Sequence, residues 1–455
     1  MSNDVTAVRI DLDEIRKPLS SDPMGMRPMQ RRVFDKRDAQ YLLIKSPPAS
    51  GKSRALMFLG LDKLLNQGCK KVIVAVPEVS IGSSFSDTDL ISHGFFANWE
   101  VNNEWDLCSP GADKGAGARS KVKKLLDFLE SDDSTLVCTH ATLRFAFQEA
   151  GEAIFDECVL AIDEFHHSSE DSKLGELLRC VLQRDKAHVI AMTGSYFRGD
   201  DMAIMSVEDE ARFTHVSYTY WEQMGAYRHL KTLKINYSFY SALDGSYLQA
   251  LPKILDLSKK TIIHIPHRSS PETAGTKHDE VDAIIDMIGD MQDIEDKTNF
   301  YPVVTNDGRT LMVANLVEDD PDFRGKLQSS LRDKEQQERV DIIIALGMAK
   351  EGFDWPPAEH AITVGYRGSL TEIIQIIGRV TRDHEGKSTA TFTNLIAEPK
   401  ADDEQVTHAV NQMLKAISVS LAMEQALAPK FKFIPKTNDD SKGNGEQDPT
   451  TGDIV

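Results

Sequence analysis

The sequence predicts an α/β protein of two domains, each built on a parallel sheet. Three observations carry this. Short continuous apolar runs, such as Lys71-Val72-Ile73-Val74-Ala75-Val76, alternate with amphipathic helical runs, the order expected when crossover helices bury strands on both faces. The octet Ser46 to Ser53, SPPASGKS, stands between an apolar strand and a helix. The alternation then restarts around residues 225 to 240. A chain of 455 residues that is 41% hydrophobic has room for two or three domains, each with its own core.

Bulk properties narrow the function classes. A formal charge of -19 excludes a protein that coats nucleic acid by bulk attraction, though not one with a local basic groove. No run approaches the roughly 18 apolar residues of a spanning helix, and the N-terminus lacks a basic region followed by an apolar one. A cytoplasmic protein with no membrane partner is therefore expected. The five cysteines, Cys69, Cys108, Cys138, Cys158 and Cys180, form no Cys-x-x-Cys pair and read as reduced thiols.

In order, residues 1–22 are polar and mixed in charge, a flexible lead-in. Met26-Arg27-Pro28-Met29-Gln30 begins a basic helical pattern reaching Arg37. The Gln30 amide both donates and accepts, so it could read an adenine edge; a solvated helix start is the alternative. Tyr41 to Ile44 reads as a strand and Arg54 to Leu65 as a helix. Between them Ser46-Pro47-Pro48-Ala49-Ser50-Gly51-Lys52-Ser53 has the pattern of a phosphate-binding loop. Its N–H groups would converge on phosphate oxygens, Lys52 would reach the β- and γ-phosphates, and the Ser53 hydroxyl would ligate Mg²⁺. Two prolines replace commoner glycines, so a stiffened turn capping a helix is the competing reading.

Helices over Lys121 to Leu129 and Ala141 to Glu149 flank a strand from Thr135 to Thr139. The strand Cys158 to Ile162 ends in Asp163-Glu164-Phe165-His166-His167. An acidic pair at the end of a buried strand suits metal-dependent nucleotide hydrolysis. Asp163 would hold Mg²⁺ through water, and Glu164 would orient or deprotonate the attacking water. The histidines lack His-Glu-x-x-His spacing; His166 suits a polar link between nucleotide and neighbouring strands. Val189 to Met192 runs into Thr193-Gly194-Ser195, whose hydroxyls would sense a γ-phosphate or merely end the strand.

The second half offers strands at Thr232 to Ile235, Thr261 to Ile265, Val340 to Ala345 and His360 to Tyr366, with helices near Tyr247 to Leu257, Asp279 to Met291 and Phe323 to Glu338. Polar groups follow the second strand, at His267-Arg268, and Lys350-Glu351-Gly352-Phe353-Asp354 follows the third. Gln375, Arg379 and Arg382 are spaced by four and three, which places them on one face of a helix. Guanidiniums there suit a phosphoryl group losing its leaving oxygen, against the alternative of an exposed salt-bridged face. A strand from Thr389 to Leu395 closes the pattern; residues 401–436 read as helical and 437–455 as a disordered tail.

Taken jointly, these motifs resemble superfamily 2 helicases, particularly the DExH branch that includes restriction-enzyme motor subunits, from Arg27 to about Glu398. Arg27 to Gln30 resembles the family's Arg-Pro-x-Gln adenine element, Ser46 to Ser53 its motif I, and Asp163 to His166 its DExH box. Thr193 to Ser195 resembles motif III, Ile263 to Arg268 motif IV, Gly352 to Asp354 motif V, and Gln375 to Arg382 motif VI. The departures are the prolines of motif I, Gly194 where alanine is common, Glu78 where an arginine often follows Pro77, and Lys350-Glu351 where a threonine or serine often stands.

The resemblance implies two tandem RecA-like domains, over 23–225 and 226–400, with ATP and Mg²⁺ in the cleft between them. Lys52, Ser53, Asp163 and Glu164 would come from the first; Arg379 and Arg382 from the second when the cleft shuts; Gly352 and Asp354 would serve the ribose side. His166, Thr193 and Ser195 would couple the nucleotide to movement. Pro77, Thr139, Thr142, His267, Arg268 and Lys350 would contact nucleic acid. The implied activity is an ATP-dependent helicase or translocase, with DNA favoured over RNA. An RNA helicase and an ATP-driven conformational switch are the alternatives. About 55 residues follow the core, fewer than an ordinary nuclease domain, so a separate nuclease or specificity subunit is the expected partner for any cleavage.

Overall fold

The computed structural model describes residues 5–12, 22–48, 50–109, 118–165, 173–194, 205–241, 245–267, 270, 272–346, 355–365 and 370–398. Ala49, His166, Ser195, Arg268, Lys350, Gly352, Asp354 and the expected segments at 401–436 and 437–455 lie outside them. The chain divides into two compact units. The first takes Leu12–His229 together with Trp355 and Pro356; the second takes Val5–Asp11 and the other described residues from Leu230 onward.

The first unit is a six-stranded sheet, every pairing of which is parallel. Its order is Thr135–Thr139, Lys71–Val76, Cys158–Ile162, His188–Thr193, Tyr41–Lys45, Thr214–Ser217. Lys71–Val76 and Cys158–Ile162 are buried at every position, because helices cover both faces. One cluster packs Leu42, Ile44, Val72, Val74, Val159 and Ala161 under the helix Lys52–Asn66. The alternate side chains, among them Leu43, Ile73, Ala75 and Leu160, join Leu174, Leu177, Leu178, Val181 and Leu182 on the opposite face. Those last five recur at the spacing of one helical stripe along Lys173–Arg184. Each buried Leu or Ile contributes about 1.5–3 kcal/mol, so the sheet's centre is the rigid part on which the strand ends are held.

The second unit is a nine-stranded mixed sheet, ordered Val5–Asp11, Thr232–Ser241, Thr389–Glu398, His360–Val364, Thr261–Ile265, Ile342–Leu346, Thr310–Asn315, Tyr301–Val304, Asp290–Met291. Its interior, from Thr232–Ser241 to Thr310–Asn315, is parallel, and both margins are antiparallel. The helix Leu370–Val380 lies on His360–Val364 and Thr389–Glu398, burying Ile373, Ile376, Ile377 and Val380.

Several elements differ from the sequence expectations, each for a local reason. The loose lead-in contains a strand, Val5–Asp11, which pairs antiparallel with Thr232–Ser241. The helix expected over Tyr247 to Leu257 is α-helical only across Tyr247–Ala250, because Pro252 sits in the following 3-10 turn Leu251–Lys253. The helix expected from Phe323 to Glu338 is two, Pro321–Arg332 and Lys334–Arg339. Asp333 ends the first and caps the second by accepting from the N–H groups of Glu335 and Gln336. No described helix is long and apolar enough to cross a membrane.

Candidate functional site

In the first unit the strand ends Lys45, Ile162 and Thr193 stop close to one level. The ladder runs on past the strands, where Ser46 N–H donates to the Thr193 carbonyl at 3.1 Å and Asp163 N–H to the Ala75 carbonyl at 2.9 Å. The loop after Tyr41–Lys45, the acidic pair and Gly194 therefore meet at the carboxyl edge, where ligands bind in open α/β sheets.

The loop itself is held from several sides. Ser46 and Ser50 are buried, and the Ser50 hydroxyl donates to Ser46 Oγ at 3.0 Å. Gly51, with φ of 91°, is the N-cap of the helix Lys52–Asn66, a conformation glycine adopts without penalty. Gln30, only 2% exposed, donates from Nε2 to the Gly51 carbonyl at 3.1 Å and accepts the Arg27 N–H at Oε1 at 2.8 Å. The amide expected to read a base is thus engaged in fixing the loop. Pro47 and Pro48 precede this turn, and the Pro48 carbonyl accepts from Gln223 Nε2 at 3.0 Å. Ser53 lies in the first helical turn. Burial, and then the charge of Arg27, pull the Arg54 guanidinium below its ordinary value, so two cations stand near the loop.

Lys52 is 8% exposed, and its Nζ lies 3.0 Å from Glu164 Oε1. That contact is an ion pair whose alignment is not that of a hydrogen bond; among the described residues the ammonium has no hydrogen-bond partner. Glu164 has φ of 47°, the left-handed region that non-glycine residues seldom occupy. This turn aims its carboxylate back at Lys52 and lets Oε2 accept from the Gly194 N–H at 3.2 Å. A Cβ added at Gly194 would sit 2.8 Å from Lys52 Nζ, so the absence of a side chain there leaves the lysine its place. Asp163 is buried, accepts the Glu164 N–H at Oδ1 at 3.0 Å, and presents its carbonyl to His140 Nε2 at 2.9 Å. Thr193 is fully buried.

The donor set fits a phosphate chain. A buried ammonium lacks hydrogen bonds among the described residues, a helix begins at a left-handed glycine, and a small residue leaves space between the lysine and a carboxylate.

Other expected residues fall elsewhere. Pro77 follows the strand Lys71–Val76 and is partly buried. Thr139 is the N-cap of helix His140–Ala150, its Oγ1 accepting the Thr142 N–H at 3.3 Å and lying 3.1 Å from Thr142 Oγ1. Thr142 is 6% exposed, so its side chain completes this cap and is not a surface contact for nucleic acid. In the second unit His267 is exposed, and Gln375 and Arg379 are half-buried on helix Leu370–Val380. The helix ends at Val380, two residues before Arg382. The last helical bond is Thr381 N–H to the Ile377 carbonyl at 3.0 Å. His140, Arg54 and Gln223 were missed from sequence. Arg54 follows directly on Gly51-Lys52-Ser53 and could have been noticed; His140 and Gln223 act through distant backbone carbonyls that spacing does not reveal.

No family model matches the chain. It is 54% identical over 450 residues to a Bacillus subtilis (strain 168) protein named "Putative ATP-dependent helicase YeeB", covering 98% of this chain and 73% of that one. Among solved structures it is similar to the Mycobacterium smegmatis helicase Lhr bound to ssDNA and AMP-PNP, with a TM-score of 0.51 and 14% identity over 87% of this chain. It is also similar to the ATP-dependent Type ISP restriction-modification enzyme LlaBIII bound to DNA, with a TM-score of 0.56 and 12% identity over 89% of this chain. The chain spans 51% of the first structure's length and 30% of the second's. At such identities the likeness is one of fold.

Proposed function

The chain belongs to the family of ATP-dependent helicases represented by its Bacillus subtilis relative, and from that membership we propose that it is a superfamily 2 motor that couples ATP hydrolysis to movement along DNA. The observation that carries the reading is the buried Lys52 ammonium, paired with Glu164 but without a hydrogen bond among the described residues, at the mouth of a strand–loop–helix turn.

The chemistry follows from what each residue can donate. Lys52 exchanges the Glu164 carboxylate for β- and γ-phosphate oxygens when ATP binds, because the phosphates carry more charge and accept its unused N–H bonds. Glu164, released from the lysine, orients the attacking water and takes its proton. Ser53 and Asp163 would hold Mg²⁺, which neutralises phosphate charge. From the family pattern, Arg379 and Arg382 would stabilise charge on the transferred phosphoryl group, and Asp354 would serve the ribose.

A nucleic-acid surface is supported locally in spite of the net charge of -19. Helix Ala118–Glu130 carries Arg119, Lys121, Lys123 and Lys124 near its start and packs on helix His140–Ala150. There the Arg144 guanidinium lies 4.6 Å from the ring centre of Phe145, which is 41% exposed. Clustered cations with an exposed aromatic suit a backbone track with a base stacked on it. DNA is favoured because both solved relatives named above are bound to it.

The test is ATP turnover measured with single-stranded, duplex and branched DNA and with RNA, using Lys52→Ala as the blank. Stimulation by DNA is expected. Stimulation by RNA alone would make it an RNA helicase. No stimulation and no binding to any nucleic acid at low salt would leave a nucleotide-driven switch.

A further inference from the structure

Gln223 lies far in sequence from every motif, on the short helix Tyr220–Gly225, the last helix before the chain leaves the first unit at Leu230. It is 4% exposed. Its Nε2 donates to the Pro48 carbonyl at 3.0 Å and to the Tyr227 hydroxyl at 2.7 Å, while its Oε1 is buried without a partner among the described residues. An unmade acceptor in a dry site costs free energy that a methionine of similar size would avoid. The amide is therefore explained by what it donates to, and one of its two acceptors is the phosphate loop.

The helix bearing Gln223 is fixed to the other helix that grips this loop. Thr219 and Glu222 form a capping box, with Thr219 Oγ1 accepting the Glu222 N–H and Glu222 Oε2 accepting the Thr219 N–H, both at 3.0 Å. The Glu222 carboxylate in turn accepts two bonds from Arg32, at 2.6 and 3.1 Å, and Arg32 also donates to the Ser217 carbonyl at 2.6 Å. Arg32 shares the helix Pro28–Phe34 with Gln30, which holds the Gly51 carbonyl. Two glutamines thus grip two carbonyls of one loop, and a bidentate ion pair joins the helices that carry them.

We propose that Gln223 is a positioning residue for ATP binding: by holding the Pro48 carbonyl it fixes the loop backbone that leads into the Gly51 N-cap and Lys52. The loop has two prolines where glycines are commoner, and it gains its phosphate-ready geometry from this outside support. The inference rests on the ATP-site reading above.

The test uses the full chain. Gln223→Met keeps the volume and removes the donor. Gln223→Glu keeps the shape, and its carboxylate can donate to Pro48 only when protonated. Both are checked for an unchanged thermal transition, and binding of a fluorescent ATP analogue and KM and kcat for ATP are measured. For Gln223→Met the KM should rise about fivefold to tenfold, the factor one hydrogen bond is worth, with kcat within about twofold. For Gln223→Glu the ratio of its KM to the wild-type KM should fall as pH is lowered from about 8.5 to about 6, since a buried carboxyl protonates above its ordinary range. Folded variants whose KM equals the wild-type value throughout that range would overturn the assignment. Absence of analogue binding in the wild-type chain would instead overturn the ATP-site reading itself.

Discussion

Glu164→Gln separates binding from chemistry, and the geometry sets opposite signs for the two. Glu164 Oε1 is 3.0 Å from Lys52 Nζ, with the two side chains 16% and 9% exposed. Unit charges at that separation attract by about 5 kcal/mol at an effective dielectric of about 20. Desolvation of both groups offsets most of this, leaving on the order of 1 kcal/mol that ATP must overcome to engage the lysine. Removing the carboxylate charge should therefore tighten ATP binding by about fivefold. The same change removes the group that accepts the water's proton, a loss of about 100-fold to 10,000-fold in the chemical step, or about 3–5 kcal/mol in the barrier. Gln retains an oxygen for the Gly194 N–H, so the turn at φ of 47° should persist. The assay pairs equilibrium titration of a fluorescent ATP analogue with single-turnover phosphate release. Wild-type release would remove Glu164 from the mechanism, and weaker binding would show that the Lys52–Glu164 pair does not oppose ATP.

Four further outcomes follow. Gly51→Ala should cost about 1–2 kcal/mol from the left-handed φ alone, and its Cβ would stand 2.4 Å from Gln30 Nε2. Gly194→Ala meets only the flexible end of Lys52, so it should change stability by less than about 0.5 kcal/mol yet still raise the KM for ATP; denaturant unfolding and ATP titration distinguish the two. Burial, with the charge of Lys63 added, lowers His188 to about 4, and burial lowers His360 to about 4. Both lie below the ordinary value, so the unfolded chain protonates first: stability is full above about pH 6.5 and drains as pH falls toward about 4. Urea midpoints across that window should fall, and His188→Gln, which still offers Lys63 an acceptor, should flatten the fall in the first unit; an unchanged acid dependence would exclude His188. Charge reversal at Arg119 and Lys123 should weaken DNA binding and make its salt dependence shallower by about one per residue, as read from binding isotherms at several salt concentrations.

Much of the architecture was legible because the strands of a doubly covered sheet need no partner to identify them. Val72 to Val76, Cys158 to Ile162 and Ile342 to Ala345 are apolar on both faces, and each lies in an interior strand of its sheet. The sequence is less explicit where a side chain answers to something distant. Val5–Asp11 is a strand only because Thr232–Ser241 offers it an edge. The helix bearing Gln375 stops short of Arg382, although the spacing of four and three continues past its end. Glu164 occupies a left-handed turn that no propensity favours for glutamate.

The phosphate loop joins these two kinds of information. Its Gly-Lys-Ser ending is local and was readable, since only glycine adopts φ of 91° at the helix start without strain. What holds the loop is not local: Gln30 reaches Gly51 from 21 residues away and Gln223 reaches Pro48 from 175. Prolines fix φ and remove donors, so Pro47 and Pro48 reduce the number of conformations the loop can visit and also the number of N–H groups it can offer. A loop so composed must place its remaining donors accurately. Carbonyl clamps from two joined helices do that, which is why substitution at Gln223 should act on KM although its side chain bears on the loop only through a backbone carbonyl.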